Sequence, residues 1–360
     1  MAIPLRPAPL SSRGHELDPI TVRGLTWQAL PARRQRKLLD LAFEFWRREG
    51  FPLYKLTETA IAAEFRALSN RPLRRIGEQG FGGSNVGLRV ANSYHPQMWS
   101  VRVSRYLSPM DVFLDDCLLR KALQRAWTVW PDRFGANAAT LRRMLKSFPG
   151  AASVSNFRPT VARNIIGALS HDGDTVLDFS AGYGGRLMGA LSLNRSYIGI
   201  EPCGQQVSGL ERTVAFVEDM NLTQGRAEIV RGCAEDILPT LSRRSVDLVF
   251  SSPPYYDWEK YSNEPTQSFI RHRPYENWVS GFLRPAVEGS YRILRRRGHL
   301  ALNISGRLRR PSLEEVREIA SGAGFRFLFS TALGLARIPY MHPRLAGPEK
   351  QEQLLVWVKP

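Results

Sequence analysis

Cysteine is scarce in this chain: three thiols, Cys117, Cys203 and Cys233, stand far apart among 360 residues. That spacing offers no CxxC metal knuckle and no disulfide framework, and it fits a reducing compartment. Long apolar runs are lacking as well. None approaches the ~20 residues of a membrane helix, so no membrane partner is expected. Met1 to Arg13 holds no continuous apolar segment, so no secretory signal is expected and the chain reads as cytoplasmic. His272, His299 and His342 show no ligand spacing, so no metal is expected. Acidic residues are outnumbered: 33 Asp and Glu face 50 Lys and Arg, a net charge of +17. The excess is uneven, with 24 basic against 12 acidic residues over 1–150 and 26 against 21 over 151–360. A solubilising surface would explain a basic balance. The asymmetry instead suggests that the first part faces a polyanion, nucleic acid above all.

What is present is an ordinary globular composition, 43% apolar and 23% charged, enough for one large domain and a smaller one. Residues 1–24, rich in Pro, Ser and Arg, read as a flexible arm. Residues 25–150 read as a basic, mainly helical domain. Its first helix spans Trp27 to Arg48, with Leu30, Leu38, Leu39, Leu41, Ala42, Phe45 and Trp46 at helical spacing and Arg33, Arg34, Arg36 and Lys37 between them. Helices are also expected over Leu56 to Leu68, capped by Thr57 or Thr59, and over Asp111 to Trp130. The glycine- and arginine-rich stretch from Arg71 to Tyr94 reads as loop.

Past Gly150 the texture changes. Strand patterns at 175–179, 197–200, 227–231, 246–250 and 299–304 alternate with helical ones at 160–169, 185–193, 205–220, 275–296 and 312–323. This is the signature of an α/β, doubly wound, mostly parallel sheet. Two last strands, 325–332 and 354–358, have no helix between them and are expected to pair antiparallel at one edge. Arg295 to Arg297 would close the helix before them, where cations offset the dipole.

Two strand ends carry chemistry. Asp247 to Tyr256 reads DLVFSSPPYY: an apolar strand that runs into two prolines, neither of which can donate to a ladder. The turn holds the Ser252 hydroxyl, the carbonyls of Pro253 and Pro254 and the Tyr255 ring at the rim where open α/β sheets bind ligands. Such a rim suits a flat, polar, weakly nucleophilic group such as a nucleobase amine. The second strand end, Val176 to Arg186, reads VLDFSAGYGGR and opens a helix. Gly182 and Gly184 let a ligand approach the backbone. Glu201, in IGIEP at the next strand end, can accept from both ribose hydroxyls; a solvated strand end would be the plainer account. The glycine spacing does not match the G-x-G-x-x-G of a pyrophosphate site. Asp178 before it favours a cofactor with a positive sulfur over one with phosphates.

Taken together, these segments resemble the S-adenosylmethionine-dependent amino-methyltransferases of DNA, which make N4-methylcytosine or N6-methyladenine. The glycine segment resembles their cofactor motif, Ser252-Pro253-Pro254-Tyr255 their catalytic tetrapeptide, and Asn156-Phe157-Arg158-Pro159 the segment that packs on the methionine part of the cofactor. The likeness covers about 153–360, and its order follows the gamma arrangement. It implies a class I, Rossmann-like fold with S-adenosylmethionine held by Asn156, Phe157, Arg158, Pro159, Asp178, Ser180, Ala181, Gly182, Gly184, Glu201 and Pro202. After the third strand the family often has an acid that reads the adenine amine. Cys233, Ala234 and Glu235 stand there, with Asp236 beyond. Phe179 and Ser180 depart from the family's Pro-Phe.

The resemblance further implies a flipped base in double-stranded DNA, stacked on Tyr255, its amine oriented by Ser252 and the Pro253 carbonyl. Serine at the first position leans toward cytosine N4 rather than adenine N6; an RNA base is a further alternative. Tyr256, Asp257, Trp258 and Tyr261 would line the base pocket, unless they merely pack. Arg33, Arg34, Arg36 and Lys37, with the long connection from Leu333 to Gln353, would supply DNA recognition. A nucleoid location and a restriction endonuclease partner would follow. A binding protein on a degenerate methyltransferase fold should show a broken motif, and neither motif is broken. A methyltransferase of protein glutamine amides usually carries Asn before Pro-Pro-Tyr and needs no basic first third.

Overall fold

The computed structural model describes residues 21–78, 81, 84–129, 135–305, 310–333 and 352–360. Seven short apolar segments become one sheet: β1 (Thr175–Asp178), β2 (Ser196–Glu201), β3 (Ala227–Arg231), β4 (Val246–Ser251), β5 (Leu294–Ser305), β6 (Arg326–Ala332) and β7 (Glu352–Val358). Their order across the sheet is β3-β2-β1-β4-β5-β7-β6. The first five run parallel, and β7 lies antiparallel to both β5 and β6. This is the doubly wound, mostly parallel α/β sheet expected. The last two strands do pair antiparallel, but β7 is inserted one place in from the edge.

Successive strand residues face opposite ways and therefore feed two cores. Val176, Leu248, Phe250, Ala301 and Val356 pack on one side with α1 (Pro159–Leu169), α2 (Gly185–Leu191) and α3 (Gly204–Asp219). Leu177, Val249, Leu300, Leu302 and Trp357 pack on the other with the short α4 (Ala234–Ile237), α5 (Arg284–Ile293) and α6 (Leu313–Gly322). Among the described residues no helix is long and apolar enough to cross a membrane.

The described chain divides into two compact units, and the division does not follow a single boundary near Gly150. Leu53–Ser108 clusters with Ala152–Pro360, the sheet unit. The reason is packing: Phe65, Leu68, Val90 and Ala91 are buried in the same core as Val161 and Leu187. His95, with no exposed surface, lies so close to α3 that a Cβ on Gly209 would stand 2.3 Å from its Cε1. Leu88–Ser93, expected as loop, is a helix. Gly80, Gly82 and Gly83 lie outside the described residues, as do the first twenty residues of the expected arm and residues 334–351 of the connection expected to aid DNA recognition.

The other unit holds helices Gly24–Ala29, Ala32–Glu49, Pro109–Leu114, Asp116–Thr128 and Ala138–Lys146. Pro31 splits the first expected helix, and Asp115 splits another by capping the Leu118 amide. Trp27 stacks on Trp127 at 4.2 Å. Of the expected apolar set, Leu38, Ala42 and Trp46 face inward, Leu30, Leu39 and Phe45 are half-buried and Leu41 is exposed; Arg33, Arg34, Arg36 and Lys37 are exposed.

A correction concerns Arg295 to Arg297. The helical run from Tyr275 passes through a π turn at Val279–Leu283 and stops at Ile293. Leu294 onward is strand, so these arginines cap no helix; Arg295 reaches Asp247 Oδ1 at 2.5 Å. The pairing of β4 with β5 slips between Val246 and Leu248, where the extra residues bulge out, and Arg297 takes φ +64°.

The packing of α1 on α2 makes a sharp distinction between glycines. A Cβ on Gly189 would lie 2.6 Å from the Ala162 Cβ and 2.8 Å from the Arg163 nitrogen, whereas one on Gly322 would meet nothing within 4 Å. Gly189→Ala should therefore destabilise by about 1–3 kcal/mol through overpacking. Gly322→Ala, inside α6, should be neutral or stabilise by up to about 1 kcal/mol. Urea titrations of both variants give the two signs; equal effects would contradict the packing.

Candidate functional site

β1 and β4 are neighbours, with Val176 opposite Leu248 and Leu177 opposite Val249. Chain order reverses between them: β2 and β3 lie to one side, β5 and its successors to the other. In open α/β sheets the crevice outside such a reversal is the ligand site. The glycine turn leaves one of these two strands and the Ser252-Pro253-Pro254-Tyr255 turn leaves the other.

Asp178 ends β1 with no exposed surface. Its Oδ2 accepts from Arg186 Nε at 2.6 Å and the Tyr197 hydroxyl at 2.9 Å; its Oδ1 accepts from the Ser251 hydroxyl at 2.8 Å and the Ser180 amide at 3.1 Å. Burial opposes the Arg186 charge, but Asp178 outweighs it and raises the guanidinium pKa above its ordinary value. The Asp178 charge is thus balanced inside the protein. It does not face the rim as an anion awaiting a sulfonium, and that part of the sequence reading is corrected: its role is to hold the turn.

The turn itself is tightly prescribed. Gly182 and Gly184 take φ +58° and +77°. Gly185 opens α2 where the segment before α1 crosses it; a Cβ there would lie 1.9 Å from the Phe157 carbonyl. Asn156 ties that crossing: its Oδ1 accepts from the Gly185 amide at 3.1 Å, and its Nδ2 donates to the Tyr183 carbonyl at 2.8 Å and to Asn92 at 3.1 Å. Phe157 sets its ring edge against Phe250 at 5.5 Å, Arg158 precedes α1, and Pro159 is its first residue. The Ala181 amide donates to the Ile200 carbonyl, drawing the turn onto β2.

Glu201 ends β2 at the same rim. Its Oε2 accepts from the Gly182 amide at 2.9 Å and its Oε1 from the Cys203 amide at 3.0 Å. Burial pushes its pKa up to about 7, against the pull of these two amides. The acid thus sits beside the glycines where ribose hydroxyls could add to its bonds.

Beyond β3 the picture differs from the expectation. Glu235 pairs with His272 at 2.7 Å and with Arg271, and Asp236 pairs with Arg271 at 2.5 Å. Asp236 is thus held in an ion pair, whereas Glu235 spends only its Oε1 on Arg271 and His272 and keeps a buried Oε2 without a hydrogen-bond partner. The Cys233 thiol, pushed up by burial, donates to the Thr266 carbonyl at 3.4 Å. Thr266 in turn donates to the Pro202 carbonyl, and Glu264 accepts from the Gly204 amide and meets Arg231. Residues 264–266 therefore lie across the ends of β2 and β3, a connection with no sequence signature beyond a polar stretch.

At the tetrapeptide, Ser252 donates its hydroxyl hydrogen to the Asn303 carbonyl at 3.2 Å and accepts from Asn303 Nδ2 at 3.2 Å. Pro253 is buried and Pro254 half-buried. The Tyr255 hydroxyl donates to Glu352 Oε2 at 2.9 Å, and burial followed by Glu352 keeps its pKa well above the ordinary value. Tyr256, at φ +50°, packs on Tyr275 and Trp278, so it belongs to the core side of the turn. Asp257 is exposed, and Trp258 is 37% exposed. Tyr261 turns inward, donating to Glu259 and meeting the Tyr183 ring at 6.0 Å. Tyr183, Glu259, Asn303 and Glu352 were not found from sequence; only Asn303, a polar break in the apolar run of β5, carried a signal. A cleft of about 570 Å³ lined by Gln97, Arg102, Gln205, Lys260, Tyr261 and Asn263 opens beside this site, and no tetrapeptide residue lines it.

No family model matches the chain, and no curated protein does. Solved structures similar to it include a TehB-like S-adenosylmethionine-dependent methyltransferase from Corynebacterium glutamicum, 14% identical over 62% of this chain and 96% of that one, with a TM-score of 0.37. An S-adenosylmethionine-dependent methyltransferase from Methanosarcina mazei is 14% identical over 54% and 96%, with a TM-score of 0.37. Magnesium protoporphyrin IX methyltransferase from Synechocystis is 12% identical over 56% and 79%, with a TM-score of 0.38.

Proposed function

We propose that this chain is an S-adenosylmethionine-dependent methyltransferase acting on an exocyclic amine of a DNA base, cytosine N4 first and adenine N6 second. The observation that carries this reading is the placement of the glycine turn and the Ser252-Pro253-Pro254-Tyr255 turn on adjacent strands at the order reversal. The residues present suit the cofactor: a turn open at Gly182, where a Cβ would meet nothing nearer than 3.7 Å, and an acid at the end of β2. Gly182, Gly184 and Glu201 would hold the nucleoside, with Cys233 and Ala234 by the adenine. The cofactor, when bound, supplies an electrophilic sulfonium methyl group.

The protein's share of the chemistry is placement, because a ring-conjugated amine needs its lone pair aimed rather than a covalent partner. Ser252 has one hydrogen, and the Asn303 carbonyl at 3.2 Å and the Tyr255 hydroxyl oxygen both stand ready to accept it. Its remaining lone pair can accept from the target amine, as can the Pro253 carbonyl, and both bonds strengthen as nitrogen becomes tetrahedral. Tyr255, pinned through its hydroxyl to Glu352, offers a fixed ring for stacking. The net charge of +17 and the exposed Arg33, Arg34, Arg36 and Lys37 support a polyanionic substrate.

Glu201 gives the first test. Only the carboxylate form accepts from both ribose hydroxyls, and its pKa is about 7. Affinity for S-adenosylmethionine should be full above that value and fall below it, levelling off at about the affinity of the neutral side chain. Glu201→Gln should weaken binding by roughly ten-fold and flatten the profile. Calorimetry between pH 5.5 and 8.5 checks both; a flat wild-type profile would remove Glu201 from the cofactor site.

The second test concerns DNA. Deleting everything before residue 151 would strip Phe65, Leu68 and Val90 from the core of the sheet unit, so charge substitution is the better probe. Replacing Arg33, Arg34, Arg36 and Lys37 together by Ala should weaken duplex binding. The slope of log affinity against log salt should fall by about one for each phosphate no longer neutralised. Nucleoside mass spectrometry after incubation with labelled cofactor should find N4-methylcytosine. N6-methyladenine alone would move the base assignment, and an unchanged salt slope would move the DNA contact off this helix.

A further inference from the structure

Asn303 stands on β5 in the sequence Leu300-Ala-Leu-Asn-Ile304, an amide in an otherwise apolar strand. Leu302 and Ile304 point into one core, and Asn303 points to the opposite side with Ala301. It is 5% exposed and lies one residue past Leu302, the β5 partner of Ser251, which places it beside Ser252. Three of its polar atoms matter. Its main-chain oxygen takes the Ser252 hydrogen, and its Nδ2 donates to the same hydroxyl, each at 3.2 Å. Its Oδ1 is buried and has no hydrogen-bond partner.

This arrangement is lopsided in a way that packing does not explain. A hydroxyl has one hydrogen, and here the Asn303 carbonyl and the Tyr255 oxygen are its acceptors, so the amide atom that meets the hydroxyl's lone pair is the NH2 group. The amide oxygen is then left over, and a buried acceptor without a partner costs stability. A leucine would fill the position at no such cost. An unmade acceptor next to the one hydroxyl that faces the target amine is what a primary amine can use: it has two hydrogens, and Ser252 with Pro253 lies on one side of it.

We propose that Asn303 determines the substrate's amine class: its Nδ2 fixes Ser252 as an acceptor, and its Oδ1 takes the second hydrogen of a primary amine. The inference rests on the reading of the site as an amino-methyltransferase. Before transfer the amine then has both hydrogens held and its lone pair directed at the methyl donor. After transfer the product is a secondary amine with one hydrogen left, and the Asn303 oxygen is again unpaired. The site therefore favours one methylation and disfavours a second. Transfer forms the nitrogen–methyl bond as the sulfonium sulfur–methyl bond breaks, the sulfur keeps that electron pair and departs as a neutral thioether, and the amine proton leaves to solvent, so no redox partner is needed.

The test uses the full chain, Asn303→Ala and Asn303→Ser, and two duplexes. One is an amplified DNA with ordinary bases. The other carries N4-methylcytosine throughout, or N6-methyladenine if wild type proves to act on adenine. Single-turnover transfer from labelled S-adenosylmethionine is measured on each, with cofactor affinity by calorimetry. Wild type should methylate the ordinary duplex at least about ten-fold faster than the premethylated one. Asn303→Ala should lose roughly 10- to 100-fold on the ordinary duplex and less than about three-fold on the other, with cofactor affinity within about two-fold. Asn303→Ser should recover part of the lost selectivity. An equal loss on both duplexes, or no loss, would overturn the proposal and leave Asn303 a packing residue. If Asn303→Ala fails to fold, seen as loss of cofactor binding, the ratio of rates in Asn303→Ser decides by the same criterion. Wild type that binds cofactor but methylates no DNA would instead refute the substrate reading, and this inference with it.

Discussion

The Asp178 carboxylate joins the parts of this site that come from different strands. It has no exposed surface and gathers Arg186 from α2, Tyr197 from β2, Ser251 from β4 and the amide of its own turn. A bare buried carboxylate would be prohibitively costly, and removing one member of such a pair typically costs about 3–5 kcal/mol. The charge is tolerated because each lone pair is used. In return, the glycine turn, the strand that carries Glu201 and the strand that carries Ser252 share one anchor. Ser251 is the link between the two functional turns: its hydroxyl binds Asp178, and the next residue begins the tetrapeptide.

A second layer of constraint comes from close approach. The Asn156 segment crosses α2 where only glycine fits, and its amide bonds both the Gly185 nitrogen and the Tyr183 carbonyl. Residues 264–266 then span the ends of β2 and β3 through Glu264, Thr266 and Cys233. The rim around the glycine turn is thus bounded by two segments distant in sequence, each fixed by side chains that bond main-chain atoms. That matches the requirement that catalysis by placement makes of its scaffold.

How much of this could be read from sequence depended on whether the signal was local. Strands such as Val246 to Phe250 declare themselves by apolar runs and by the prolines that stop them, and the order of strands and helices follows. The glycines of the turn and the acid at Glu201 were legible because backbone geometry restricts what can stand there. Partnerships across the fold were not. Asp178 and Glu201 look alike as acids at strand ends, yet only the fold brings Arg186 and Tyr197 to the first. Nor could sequence show that Arg271 and His272, more than thirty residues away, take one oxygen of Glu235 and leave the other unpartnered. Arg295 to Arg297 resembled a helix terminus because a basic run after an amphipathic stretch usually is one; the bulge against Val246 and Leu248 moved them into a strand. The assignment of Leu53–Ser108 to the sheet unit rests on Phe65, Leu68 and His95, whose burial partners lie a hundred residues on.

The place of β7 has a bearing on synthesis. It sits between β5 and β6, with Leu300 opposite Trp357 on one flank and Phe327 opposite Trp357 on the other. β6 leaves the ribosome before β7 and has no strand to pair with until β7 follows. At ordinary translation rates that interval is about 1–5 s. During it the apolar face of β5 and the aromatic residues of β6 are open to other nascent chains. The sheet is therefore most exposed to aggregation in that interval, when β1 to β5 are already made and the penultimate strand is still missing.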